Sequence, residues 1–161
     1  MSRRWRFTRT PIRSSTRPLK SIKKVSTLDA KQFKVFYAAG GHGTVKDFLT
    51  ASGLHSLAAQ IYAQGGVVAA VCHGPVVLPG VKDADGHSIV KGKTVAGFTD
   101  AGEEAMGLTQ YLKDNNYVFV STELKNAGGN FVEPKGPWDD FSVVDGKLAS
   151  EKKKPVFFPL G

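Results

Sequence analysis

The chain has 161 residues, a formal net charge of +8 and a single cysteine. This length suits one domain. A lone cysteine excludes an intrachain disulfide and is typical of proteins from reducing compartments. No apolar run approaches the about 20 residues of a membrane helix, and no apolar signal segment follows the basic N-terminus. We therefore expect a cytoplasmic protein without a membrane partner.

The positive charge is confined to the N-terminus. Residues 1–24 carry nine Lys or Arg and no acidic residue, whereas the remainder has 13 basic and 14 acidic residues. With few apolar side chains, residues 1–27 are predicted to form a basic, disordered arm. Its Arg- and Ser-rich composition is also that of a mitochondrial presequence, so mitochondria are the alternative location. The nearly neutral remainder has no basic footprint, and we expect no nucleic-acid partner.

The first folded elements alternate between strand and helix patterns. Residues 33–39 predict a strand that leads into the glycine-rich loop 40–43. Apolar residues at helical spacing predict a helix over residues 54–64, ended by two glycines. The apolar run 66–71 predicts a second strand, buried on both faces. A strand, a helix and a strand in succession form a crossover unit, which predicts an α/β fold with a mostly parallel sheet.

Cys72 stands directly after the second predicted strand and is followed by His73, Gly74 and Pro75. Glycine permits a sharp turn, and proline suits the first turn of a helix. A cysteine between a strand and a helix N-terminus is expected to have a lowered thiol pKa and to act as a nucleophile. The alternative is a cysteine that only fills the core. The adjacent imidazole favours the nucleophile.

The loop 40–43 follows the first strand, at the sheet edge where parallel folds place their sites. It lacks the spacing of a dinucleotide-binding loop. We expect it to form one wall of an oxyanion hole opposite Cys72. His42 is a candidate site residue, although a histidine between glycines is also typical of a solvated loop.

The rest of the chain is predicted to contain short elements. A short helix should end near residues 79–80, and Glu103 and Glu104 near a helix start are explained by the helix dipole alone. Further strands are predicted at residues 88–90, 94–98 and 130–132, a helix around residue 124, a hairpin over 141–149, and a Lys-rich tail over 151–161. One cysteine and four scattered histidines lack the spacing of a structural zinc site, so no metal site is expected.

Four segments together resemble the PfpI-like superfamily, which has the class I glutamine-amidotransferase-like fold. They are residues 35–43, 70–75, 92–104 and 136–142, in that order, and the match spans roughly residues 28–149. The branch that looks most similar contains the glutathione-independent glyoxalases, also called glyoxalase III or D-lactate dehydratase, and related heat-shock chaperones. The resemblance implies a flavodoxin-like three-layer sandwich, with a PfpI-like domain over residues 28–150.

The resemblance also implies a catalytic triad. Cys72 would be the nucleophile, His73 the base beside it, and Glu103 the carboxylate that orients the imidazole, with Glu104 as the fallback. The implied reaction converts methylglyoxal, a 2-oxoaldehyde, to D-lactate without a metal or organic cofactor. Backbone N–H groups near Gly41 and Gly74 would stabilise the oxyanion.

Two departures from the family pattern affect this expectation. The family has a strand, a helix and a strand before the match, with a second glutamate that touches the nucleophile, and a covering helix after it. The basic arm and the tail stand in those places here, so we expect an incomplete fold with impaired activity. The alternatives are a holdase chaperone that does not need Cys72, and a PfpI-like cysteine peptidase or protein deglycase. A homodimer is the expected assembly.

Overall fold

A computed structural model of the protein describes residues 22–152. The strands are β1 (Val35–Ala38), β2 (Val67–Val71), β3 (Thr94–Val95), β4 (Asn130–Phe131), β5 (Phe141–Asp145) and β6 (Leu148–Lys152). The α-helices are α1 (Thr44–Asp47), α2 (Ser52–Ala63), α3 (Asp100–Ala105), α4 (Thr109–Asp114) and α5 (Val120–Asn126). Short 3-10 segments cover Val25–Thr27, Ala30–Gln32, Phe48–Thr50 and Gly74–Gly80.

The main sheet has four strands in the order β1-β2-β6-β5. β1 pairs with β2 and β2 with β6 in parallel, while β5 and β6 form an antiparallel hairpin. A second, two-stranded sheet pairs β3 and β4 in parallel. The predicted α/β class with a mostly parallel sheet is confirmed. Because β1 and β2 run in the same direction, the loop after β1 and the turn after β2 meet at one edge.

One face of the sheet is covered and forms the core. α2 packs on β1 and β2, and its residues Ala58 and Ile61 are almost fully buried. On β1 and β2 the side chains alternate between the two faces. Val35, Tyr37 and Val67 point away from this core, and they are 55%, 61% and 38% exposed. The opposite face is therefore apolar and open along β1 and at the start of β2.

The predicted strand over residues 88–90 is wrong. Ser88 forms only an isolated bridge with Lys82, and the residues after it are in a turn. The side chain of Asp83 accepts hydrogen bonds from two backbone N–H groups of the loop 83–87, which folds this segment back on itself. Ile89 is buried as a core residue without joining a sheet.

The predicted strand over residues 94–98 is shorter than expected. It ends at Val95 because the next backbone donors turn to other partners. The Ala96 N–H donates to the Ser150 side-chain oxygen at 2.8 Å, and the Phe98 N–H donates to the Cys72 carbonyl at 2.7 Å. These bonds fasten the segment after β3 to the edge where β2 ends.

The basic arm and the Lys-rich tail lie mostly outside the described residues, as does the proposed presequence. Val25–Thr27, assigned to the arm, forms a 3-10 turn that packs on α2. Lys152, assigned to the tail, completes β6; it is fully buried and donates to the carbonyls of Gly136 and Pro137. Within residues 22–152, no helix is long and apolar enough to cross a bilayer.

The contact between the ends of β1 and β2 generates a stability prediction. A Cβ atom on Gly40 would lie 2.6 Å from the Cys72 Cβ and would overlap the Val71 carbonyl oxygen. Gly40→Ala should therefore lower the free energy of unfolding by about 3 kcal/mol, measured by urea denaturation. Gly43→Ala is the matched control, because Gly43 has a helical φ of −56° and open space around its Cβ position. A Gly40→Ala variant as stable as Gly43→Ala would contradict the proposed close packing.

Candidate active site

The backbone at Cys72 adopts an unusual conformation. Its φ is 61°, in the left-handed region, and Asn116 is the other non-glycine residue with a positive φ between residues 22 and 152. Such a conformation costs about 1–3 kcal/mol and persists where the surrounding structure enforces it. The Cys72 N–H donates to the Glu151 carbonyl of β6 at 2.8 Å, and the Cys72 carbonyl accepts from Phe98. Both backbone groups are thus held by other segments of the fold.

Two glycines allow the chain to pack around this turn. Gly40 lies against Cys72, as described above. A Cβ on Gly74 would overlap the carbonyl oxygen of Ala38 at the end of β1. The close approach brings the loop 40–43 beside the thiol, so Gly41 and His42 lie at the same sheet edge as Cys72.

A hydrogen-bonded chain connects the cysteine to a buried carboxylate. The Cys72 Sγ lies 3.2 Å from His73 Nδ1, and His73 Nε2 lies 2.7 Å from Glu103 Oε1. His73 is fully buried and Glu103 is 3% exposed. Glu103 belongs to the first turn of α3, whose N-cap Thr99 accepts a hydrogen bond from the backbone of Gly102. This cap fixes the start of the helix that carries the carboxylate.

The other oxygen of the carboxylate contacts a second imidazole. His42 Nε2 lies 3.1 Å from Glu103 Oε2. The rings of His42 and His73 have centroids 4.0 Å apart, and the ring of His73 also stacks on Phe98 at 4.3 Å. Both histidines are therefore held by the same carboxylate, and their rings pack together with that of Phe98.

The charge states of Glu103 and His73 determine where the protons lie in this series of hydrogen bonds. Burial opposes ionisation of Glu103, but the hydrogen bonds from His42 and His73 outweigh it and lower its pKa to about 2. Burial lowers the pKa of His73 below its usual range, and the hydrogen bond to Glu103 only partly offsets this. At neutral pH Glu103 is ionised and His73 is neutral. Because a carboxylate only accepts, Nε2 carries the His73 proton and Nδ1 is free to accept one.

The expected lowering of the Cys72 pKa is wrong. Burial raises the pKa of this thiol, and it outweighs the opposing effect of the backbone N–H groups of His73 and Gly41. The predicted helix after Cys72 is a seven-residue 3-10 segment interrupted by Pro79, so the favourable end of a long helix is missing. The resting cysteine is a thiol, and a base must remove its proton when it reacts.

The structure brings most of the predicted site residues together. Cys72, His73, Glu103, His42 and the Gly41 N–H form one cluster. Gly74 adjoins this cluster through its packing on β1. The fallback residue, Glu104, is exposed and faces a separate cavity that Lys113 and Thr122 also line.

Two neighbours of the cluster were not predicted. The ring of Phe98 supports His73, and the buried ammonium of Lys152 acts through its charge to lower the pKa of Cys72. Phe98 lies within a sequence segment that resembles the family, which was the available signal. Nothing in the local sequence indicates that Lys152 lies near Cys72, because its position depends on the pairing of β6 with β2.

The fold and the turn from Cys72 to Pro75, which we call the nucleophile elbow, show the class of protein first. The structure resembles that of a ThiJ/PfpI domain protein from Brachyspira murdochii, with a TM-score of 0.55 over 80% of this chain and 56% of that one. At 16% identity this similarity shows the fold alone. No protein-family model matches the chain. The chain has the fold of the ThiJ/PfpI-like proteins, as its sequence implied.

Relatives of higher sequence identity show which branch of the ThiJ/PfpI-like proteins the chain is similar to. The chain is 47% identical over 132 residues to the Schizosaccharomyces pombe protein named "Probable glutathione-independent glyoxalase hsp3104", a match covering 82% of this chain and 60% of that protein. The crystal structure of glyoxalase III from Candida albicans matches with a TM-score of 0.79 and 39% identity, over 84% of this chain and 57% of that one. The chain is thus a homologue of the glutathione-independent glyoxalases. It spans less than two thirds of the length of these relatives.

The depressed pKa of Glu103 predicts a pH-dependent stability. Its contribution is complete above the unfolded value near 4.5 and is lost as the pH falls towards about 2. Between pH 7 and pH 3 the wild type should lose about 2 kcal/mol more unfolding free energy than Glu103→Gln, which has no carboxylate to protonate. Urea denaturation at both pH values measures this difference.

Glu104→Gln is the matched control for this experiment. It removes the neighbouring, exposed carboxylate and should keep the wild-type dependence on pH. If the wild type and Glu103→Gln lost the same free energy between the two pH values, Glu103 would not be held ionised by the two histidines.

Proposed function

We propose that this protein converts methylglyoxal to D-lactate without glutathione, with Cys72 as the nucleophile. The main supporting observation is the neutral His73, placed between the Cys72 thiol and the ionised Glu103. The homology to proteins named glutathione-independent glyoxalases supports the choice of substrate. Because the chain spans only part of these relatives, the activity is inferred from the site and tested below.

The first step is the addition of sulfur to the aldehyde carbon. His73 Nδ1 takes the proton of the thiol, and the imidazolium that forms is stabilised by the carboxylate of Glu103. The thiolate attacks the aldehyde carbon, and the aldehyde oxygen becomes an oxyanion near the Gly41 N–H. The imidazolium then returns the proton to this oxygen and leaves a hemithioacetal on Cys72.

The second step moves hydrogen between the two carbons. The neutral His73 removes the proton from the carbon that carries sulfur, and the resulting imidazolium gives a proton to the neighbouring carbonyl oxygen, so that an enediol forms. The neighbouring carbon then takes up a proton while the hydroxyl on the sulfur-bearing carbon loses one, which gives the lactoyl thioester of Cys72. Water attacks this thioester, D-lactate leaves, and the thiol takes back its proton. The sum is methylglyoxal plus water to lactate, so no oxidant or reductant is consumed.

Gly74 and His42 take supporting roles in this proposal. Gly74 lets β1 approach the elbow, which is required for the Gly41 N–H to reach the oxyanion. His42 contacts Glu103 rather than the thiol, so we assign it to holding the carboxylate. The proposed domain of residues 28–150 is extended by Val25–Thr27 and by Lys152, which pack on it, and we propose a cytoplasmic location.

The first test is the production of D-lactate from methylglyoxal in the absence of glutathione. The wild type should turn over, and Cys72→Ala should lower kcat/KM by at least about a thousandfold. Glu103→Gln should also be strongly impaired, whereas Glu104→Gln, which alters a residue outside the cluster, should retain wild-type turnover. Far-UV circular dichroism shows that each variant is folded. No D-lactate from folded wild type would overturn the proposal.

We also propose that the chain forms a homodimer through the open face of β1. Val35 and Tyr37 expose apolar surface on this edge strand, which a second copy could cover. Light scattering after size-exclusion chromatography should give twice the chain mass for the wild type. Tyr37→Glu should shift the protein to the monomer, while Tyr111→Glu, which alters a ring of similar exposure on α4, should not. A monomeric wild type would contradict the assembly.

A further inference from the structure

The carboxylate of Glu103 is the centre of a group of metal-binding atoms. One of its oxygens faces His73 Nε2 at 2.7 Å and the other faces His42 Nε2 at 3.1 Å. One ligand atom from each of the three residues lies within 4.8 Å of the others. The imidazoles arrive from two different segments, the loop after β1 and the turn after β2.

We propose that His42, His73 and Glu103 form a site for a divalent cation of the zinc type, and that an ion bound there inhibits the enzyme reversibly. Two imidazoles and one carboxylate are a common donor set for zinc, with a fourth position left open. Zinc–ligand bonds of about 2.0–2.2 Å place tetrahedral ligand atoms about 3.4 Å apart, so a bound ion would replace the hydrogen bonds of 2.7 Å and 3.1 Å by slightly wider separations. His42 lies in a loop and its side chain is 35% exposed, so it can make this adjustment.

The surroundings of the three ligands favour binding. The partly exposed ring of His42 borders a cavity that Lys46 and Tyr117 also line, which gives the ion a route from solvent. His73 and Glu103 are buried, so the ion would be held away from competing water.

A bound ion would change the tautomer of His73. In the metal-free site the proton lies on Nε2, and Nδ1 can accept the proton of Cys72. A metal on Nε2 displaces that proton, and the neutral ring must then carry it on Nδ1. The base that the cysteine needs is thereby lost. Binding itself does not depend on the proposed glyoxalase activity, whereas inhibition rests on it.

A second group of possible ligands serves as an internal comparison. Asp83, Asp85 and His87 also bring their ligand atoms within 4.8 Å of one another. The Asp83 carboxylate already accepts hydrogen bonds from the backbone of Asp85 and His87, and the latter two residues are exposed. These bonds come from backbone N–H groups that an ion cannot replace, so the Asp83 carboxylate is committed to folding the loop. His87→Gln is therefore the matched control for His42→Gln.

The binding test follows the absorption of Co²⁺, a spectroscopic substitute for zinc, titrated into the full chain. The wild type, His87→Gln and Cys72→Ser should each develop visible bands with one equivalent, and Zn²⁺ should remove them. His42→Gln should weaken binding at least tenfold. Equal affinity in the wild type and His42→Gln, or loss of the bands in His87→Gln, would overturn the site.

A second measurement uses the wild type and avoids any effect of substitution on folding. Long-range ¹H–¹⁵N spectra resolve the ring nitrogens of the four histidines. One equivalent of Zn²⁺ should shift Nε2 of His42 and His73 and move the His73 proton to Nδ1, and His55 and His87 should stay unchanged. Unshifted His42 and His73 signals would overturn the proposal.

The inhibition test adds Zn²⁺ to the methylglyoxal assay. Turnover should fall by at least tenfold at saturation and return with excess EDTA. Full turnover with the spectroscopic site occupied would overturn the inhibitory role. A protein without any turnover would contradict the proposed function, while the two spectroscopic tests would still decide whether the site binds an ion.

Discussion

The arrangement of this site depends on one buried carboxylate that accepts hydrogen bonds from two imidazoles. Glu103 would be costly to bury alone, because an isolated charge loses its hydration in the core. The bonds from His42 and His73 offset that cost and keep the group ionised. An ionised Glu103 then determines which nitrogen of His73 holds a proton. The hydrogen bond at Nε2 of His73, on the side of the ring away from Cys72, thus determines whether Nδ1 can act as a base towards the thiol.

The backbone conformation at Cys72 is held by hydrogen bonds and by close packing. The left-handed conformation of this residue is enforced by bonds to Glu151 and Phe98, and two glycines make room for it. The thiol is therefore presented by a strained turn with little freedom to relax. Such strain is typical of sites in which position matters more than local stability. Since burial raises the pKa of the thiol, position and a nearby base must supply its reactivity.

Much of this could be predicted from local sequence. The apolar run 66–71 and the residues from Cys72 to Pro75 identified β2 and the elbow, because strand pattern and turn chemistry are short-range signals. Choosing Glu103 over Glu104 came from the family resemblance. In the structure the two side chains differ completely in burial. A pair of adjacent glutamates carries no local sign of which one points inward.

Other features depend on distant contacts and left no such signal. The segment 88–90 has the composition of a strand, but its backbone is drawn into a turn by Asp83, and Ile89 contributes only its side chain to the core. The predicted lowering of the Cys72 pKa is wrong for a similar reason. Its burial is set by elements far along the chain, whereas the helix effect was inferred from the next few residues.

The hairpin of β5 and β6 shows that the surroundings of Cys72 depend on segments far from it in the sequence. β6 inserts between β2 and β5, and its Glu151 carbonyl holds the Cys72 N–H. Its next residue, Lys152, is buried and places a positive charge near the thiol. A strand that supplies none of the three hydrogen-bonded side chains therefore sets both the conformation and part of the electrostatics of the nucleophile. The chemistry of Cys72 thus requires the hairpin to be docked, which couples reactivity at the elbow to the folding of the sheet.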